Sequence, residues 1–114
     1  LFYPDGTLGI VDYKTDWLER PQLQEKAARY RLQIASYALA AEAIWGRPIR
    51  DARLYFARLA ETLPLDVAPA SLELARRELQ SMAEFIRGHE QEADYRCNLA
   101  HCDVCPFGKI CLRE

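Results

Sequence analysis

Gly9-Ile10-Val11-Asp12-Tyr13-Lys14-Thr15 is the stretch on which the reading of this chain turns. It reads as a β-strand. Successive strand side chains point to opposite faces, so Asp12 and Lys14 project together while Val11 and Tyr13 turn the other way. One face can carry chemistry while the other packs.

A carboxylate beside an ammonium group suits phosphodiester hydrolysis. The carboxylate can hold Mg2+ through oxygen, and the lysine can position or activate water and offset negative charge. An Asp-x-Lys pair standing alone is more often an ordinary solvated same-face pair on a strand. The next helical segment supplies more. Gln33 and Tyr37 are four residues apart and share a helix face, with Tyr30 one turn before Gln33 on nearly the same side. The competing reading of this trio is a helix shoulder packed at the edge of the core.

Taken in this order and spacing, GIVDYKT followed by YRLQIASY resembles the RecB-like branch of the PD-(D/E)xK nuclease superfamily, as found at the C-termini of AddA, AddB and RecB helicase-nucleases. The resemblance implies a restriction-endonuclease-like α/β core, a mixed sheet flanked by helices, closed by a C-terminal cysteine loop. It implies catalytic roles for Asp12, Lys14, Gln33 and Tyr37. Asp12 and the main-chain carbonyl of Tyr13 would bind Mg2+ or Mn2+, and Lys14 would orient the attacking water. Gln33 and Tyr37 would hold the lysine, a water or a nearby phosphate. The family carries a further metal-binding Asp on the preceding strand. Asp5 is the only acid before Asp12, and Asp5-Gly6 reads as the turn of a hairpin from Leu1-Phe2-Tyr3 to Leu8 through Lys14. The missing Asp is expected upstream of Leu1, and the fragment alone is expected to be inactive.

Cys97, Cys102, Cys105 and Cys111 are the only four cysteines, and the last three form C-x2-C-x5-C. Close cysteine pairs suit tetrahedral metal or iron-sulfur coordination, because a short loop can aim several thiolates at one centre. The resemblance implies that Cys102, Cys105 and Cys111 are the three C-terminal ligands of an iron-sulfur cluster whose fourth ligand lies outside this chain. Cys97 is then an extra thiol. Zn2+ held locally with Cys97 is the alternative, and disulfides of a secreted protein are a third.

Length (114 residues) and composition (half hydrophobic) allow one modest core. Residues 1–96 are expected to form the partial nuclease core and 97–114 the metal-binding loop of the same domain. A net charge of −2 is not that of a strongly basic nucleic-acid binder, so contacts with DNA must be local. Among Lys26, Arg29, Arg31, Arg76, Arg77 and Arg87, only Lys26 or Arg29 is expected near the site. The rest read as solvated helix faces beside glutamates.

Pro21 to Trp45 reads as one helix stopped by Gly46, with Leu23, Ala27, Tyr30, Ile34, Ala38, Ala41 and Trp45 as its buried stripe. Asp51 to Leu59 reads as a strand, paired with Leu63 to Val67 across Ala60-Glu61-Thr62. Pro69 and Ser71 open a second helix that ends at Gly88, with Leu72, Ala75, Leu79, Met82, Ala83 and Ile86 as its stripe. Trp17 and Trp45 read as packing residues. No transmembrane span or Gly-rich phosphate loop is visible, which removes any reason to expect a membrane protein or an ATPase.

The expected function is that of a Mg2+-dependent DNA exonuclease domain of a helicase-nuclease in DNA break repair. Its expected place is the cytoplasm. Its expected partners are DNA, helicase domains of the same polypeptide and a second helicase-nuclease subunit. The competing classes are a non-catalytic DNA-binding or scaffolding module of the same ancestry and a small zinc-binding interaction domain.

Overall fold

The computed structural model describes residues 1–91 together with Tyr95, Cys102, Cys105, Pro106 and Phe107. By its internal contacts the chain divides into two compact units, Leu1–Ser81 and Met82–Glu114.

In the first unit the sequence runs through β1 (Leu8–Lys14), a 3-10 turn (Arg20–Gln22), α1 (Leu23–Arg29), α2 (Arg31–Trp45), β2 (Ile49–Phe56) and β3 (Glu61–Leu65). The strands form one mixed sheet in the order β1-β2-β3. β1 and β2 are parallel, and β3 returns antiparallel to β2. A parallel pair needs a crossover of a dozen or more residues, and α1 and α2 supply it, α2 lying against both parallel strands. This is the mixed sheet with flanking helices that the sequence implied.

Register decides which side chains meet the helices. Ile10, Asp12 and Lys14 stand opposite Ala52, Leu54 and Phe56, and the last three are buried. Ala27, Ile34, Ala35 and Ala38 close over them. The small residues of α2 let the helix approach the sheet closely, while Ile34, Leu54 and Phe56 are its largest fully enclosed side chains. Tyr13 and Tyr55 project from the other face, their rings edge to face at 5.6 Å.

The entry hairpin follows the sequence. Leu1 and Gly9 exchange backbone hydrogen bonds, and Asp5 accepts from the Thr7 amide and hydroxyl, closing the Asp5-Gly6 turn. Gly9 is required by a close approach: a Cβ there would meet the Tyr3 ring at 2.8 Å. That ring is held by the hydroxyl, which donates to Asp51 at 2.7 Å.

Several sequence expectations need correction. The expected single helix from Pro21 to Trp45 is broken at Tyr30, whose amide turns back to Ala27. Neither Gly nor Pro lies at the break; it coincides with the tertiary contacts of the Tyr30 ring described below. β2 begins at Ile49 and ends at Phe56, and β3 begins at Glu61, because the turn between them occupies 57–60, with Ala60 at φ 51°. Gly46 takes the left-handed conformation expected of a helix stop, at φ 61°. Trp45, expected in the core, is 51% exposed and meets Phe2 edge to face.

α3 (Pro69–Gly88) buries Leu72 and Ala75. Further along it Met82 and Ile86 are exposed, against expectation. In the second unit His89 stacks on Phe85 at 3.9 Å, and the Tyr95 hydroxyl donates to the His89 carbonyl. Cys97, His101 and Cys111 lie outside the described residues. No helix among the described residues is long and apolar enough to cross a membrane.

Candidate active site

Asp12 and Lys14 do share the helix-facing side of β1, and α2 presents Gln33 and Tyr37 to them. The contacts form one chain. Lys14 Nζ lies 2.9 Å from Asp12 Oδ2 and donates to Gln33 Oε1 at 2.9 Å. Gln33 Nε2 then donates to the Tyr37 hydroxyl at 2.8 Å. Because Gln33 uses its oxygen on the lysine, its amide nitrogen must face Tyr37, and because Tyr37 accepts, its own proton remains to be donated elsewhere. Tyr37 is 45% exposed, so that proton can reach a bound substrate.

Lys14 is held on a third side by the face of Tyr30, whose ring centroid is 3.6 Å from Nζ. Only 12% of the lysine side chain and 23% of Asp12 is open to solvent. Asp12 Oδ2 is fully shielded, and although it meets the ammonium as an ion pair it accepts no hydrogen bond. The Lys14 ammonium is thus the cation that meets the charge of this buried oxygen.

Backbone direction adds a second oxygen. In β1 the amide of Leu8 and the carbonyl of Lys14 bond toward β2, whereas Gly9 bonds to Leu1 on the opposite edge. Alternation along the strand turns the Tyr13 carbonyl toward that same outer edge, away from β2.

Asp16, to which the sequence reading assigns no role, continues the same alternation two residues beyond Lys14. It accepts from the Tyr30 hydroxyl at 2.9 and 3.0 Å and pairs with Lys26 at 3.0 Å. Burial alone would raise its pKa, but the hydrogen bonds from Lys26 and Tyr30 outweigh it and hold the carboxyl below the ordinary aspartate range. The bond to Asp16 raises the pKa of Lys26. Burial first, then the bond to Asp16, raises that of Tyr30. Asp16 thus fixes the ring that supports Lys14. The signal for it in the sequence is the parity of 12, 14 and 16.

Of the basic residues considered above, Lys26 reaches this cluster. Arg29 pairs with Glu25, Arg31 with Glu78, and Arg76 and Arg77 with Glu73. Trp17 is not a packing residue: it is 83% exposed. Cys102 is half-exposed and Cys105 exposed, both as free thiols.

A profile of the PD-(D/E)XK nuclease superfamily matches residues 3–112. The chain belongs to that superfamily. It is 37% identical over 70 residues, 59% of its length, to an ATP-dependent helicase/nuclease subunit from Anoxybacillus flavithermus. Proteins of the same description match from Thermoanaerobacter sp. (33% over 54 residues, 47% of this chain) and Acetivibrio thermocellus (36% over 52 residues, 46%). These matches span only 6%, 4% and 4% of the relatives' own lengths.

Proposed function

We propose that this chain is part of the nuclease domain of a helicase-nuclease that, as the intact polypeptide and not as this chain alone, hydrolyses DNA as a Mg2+-dependent exonuclease in break repair. The observation that carries the reading is the unbroken polar chain Asp12, Lys14, Gln33, Tyr37 on a PD-(D/E)XK core. A cytoplasmic setting, helicase domains on the same polypeptide and a second helicase-nuclease subunit belong to the same proposal. Their support is the kinship with helicase/nuclease proteins far longer than this chain.

A divalent cation fits the donors. The Asp12 carboxylate, one of whose oxygens is ion-paired with Lys14, and the outward Tyr13 carbonyl are hard oxygen ligands of the kind Mg2+ and Mn2+ prefer. Once bound there, the cation supplies Lewis-acid polarisation and offsets phosphate charge. The remaining work falls to the chain's own side chains. Lys14, gripped on three sides, presents a localised positive charge that orients the attacking water and balances charge gathering on the phosphate. Gln33 keeps that ammonium in place, and Tyr37 donates its free proton to a phosphate oxygen. The oxygen of water bonds to phosphorus as the bond to the departing sugar oxygen breaks; the attacking water releases its proton to solvent, and the departing oxygen takes one from solvent.

Asp12→Ala and Lys14→Ala in the intact polypeptide are the test. Both should abolish Mg2+-dependent cleavage while leaving DNA binding intact. Cleavage retained by both variants would reject the assignment.

Cys102, Cys105 and Cys111 belong to this proposal as ligands of an iron-sulfur cluster, for which accessible free thiols at Cys102 and Cys105 are suitable. Purified intact polypeptide should contain iron and absorb in the visible. Stoichiometric zinc without iron would favour the local site through Cys97.

A further inference from the structure

The segment that leaves the catalytic strand carries a feature that the chemistry above does not use. Trp17, three residues beyond Lys14, keeps 83% of its surface in water, so neither the core nor the helices consume its indole. A cation covers one face: the Arg58 guanidinium carbon lies 3.6 Å from the centre of the ring. Arg58 comes from the 57–60 turn and is pinned by donating its Nε to the Thr15 carbonyl at 3.3 Å. Among the described residues it pairs with no carboxylate, unlike Arg20, Lys26 and Arg29 nearby. Its terminal amino groups therefore remain available to an anion. At the foot of the indole is a polar cleft of about 190 Å3 lined by Leu18, Gln22, Glu25, Lys26 and Arg29, in which Glu25 already pairs with Arg29.

An exposed indole, backed on one face by a pinned and otherwise unpaired guanidinium, is a stacking surface with a phosphate-binding group attached. Bases in a duplex have both faces covered by neighbours, whereas an unpaired base offers a free face to an aromatic ring. Three residues of extended chain span at most about 10 Å, so the indole stays within a few nucleotides' reach of Lys14. We propose that Trp17 and Arg58 form a platform that holds one unpaired nucleotide of single-stranded DNA beside the Asp12–Lys14 site. The base stacks on the open face of Trp17, and its phosphate takes the Arg58 amino groups. This proposal rests on the nuclease reading of the site and adds to it the two side chains that position the strand.

The test uses the intact polypeptide without ATP. Trp17→Ala should raise KM for a single-stranded oligonucleotide about 5- to 100-fold, the range found when one base loses an aromatic stacking partner, with kcat within about twofold. Trp17→Phe should restore most of the loss, because any flat ring can stack. Arg58→Ala should also raise KM. In an Asp12→Ala background, an oligonucleotide carrying 5-iododeoxyuridine should photo-cross-link to the peptide containing Trp17. An unchanged KM in Trp17→Ala, a loss confined to kcat that Phe does not restore, or cross-linking only elsewhere would each overturn the platform. Cleavage that survives Asp12→Ala would instead defeat the nuclease reading, so the two failures are distinguishable.

Discussion

Lys14 Nζ donates to Gln33 Oε1 across 2.9 Å, tying β1 to α2 nineteen residues later in the chain. The bond sets the direction of the Gln33 amide and, through it, the proton of Tyr37. Removing either end should therefore act on chemistry more than on folding.

Gln33→Ala leaves a solvent-exposed gap, and it frees Lys14 from one of its three supports. Cleavage by the intact polypeptide should fall about 10- to 100-fold, the usual cost of losing an orienting partner, with the circular dichroism spectrum unchanged. Tyr37→Phe keeps the ring and removes only the proton, and should lower the rate by about tenfold. Full activity in both variants would remove the helix from the site.

Asp16 makes a pH-dependent contribution to stability. Its folded-state pKa lies below the 3.8 of an ordinary aspartate, so its contribution is complete above that value and is lost as pH falls through the lower one. Lys26 is shifted upward from 10.5, so its share of the pair persists to that pH and disappears above it. Asp16→Asn should lower Tm by a few degrees at neutral pH, and the gap should stay level from about pH 5 to 10. It should shrink toward zero in acid. A gap that widened as pH fell would contradict the assigned hydrogen bonds.

Ile34 is fully enclosed between α2 and the sheet. Ile34→Ala should cost about 2–5 kcal/mol in denaturant unfolding, because the cavity cannot collapse onto strands held by their ladder. A loss below about 1 kcal/mol would mean that α2 is not seated on the sheet in this way.

The parts of this molecule legible in the sequence are those fixed by local periodicity. Strand alternation puts Asp12 and Lys14 on one side, helical spacing brings Gln33 next to Tyr37, and Gly46 marks the end of its helix. What escapes a reading of the sequence depends on partners distant along the chain. The break at Tyr30 follows from a hydroxyl bound to Asp16 and a ring beneath Lys14, neither visible in a helical repeat. The 57–60 turn is hidden because Ala60, not glycine, adopts its positive φ. Trp17 reads as a packing residue because indoles are usually well buried; its exposure is set by the path of the loop after β1.

The most direct measurement is single-turnover cleavage of a labelled DNA by the intact polypeptide and its Asp12→Asn variant across a Mg2+ titration. The amide keeps the shape of the side chain and removes its charge. Cleavage should fall at least about a hundredfold, and no Mg2+ concentration should restore it. Wild-type cleavage by Asp12→Asn at saturating Mg2+ would contradict the central claim that Asp12 anchors the metal of a nuclease site.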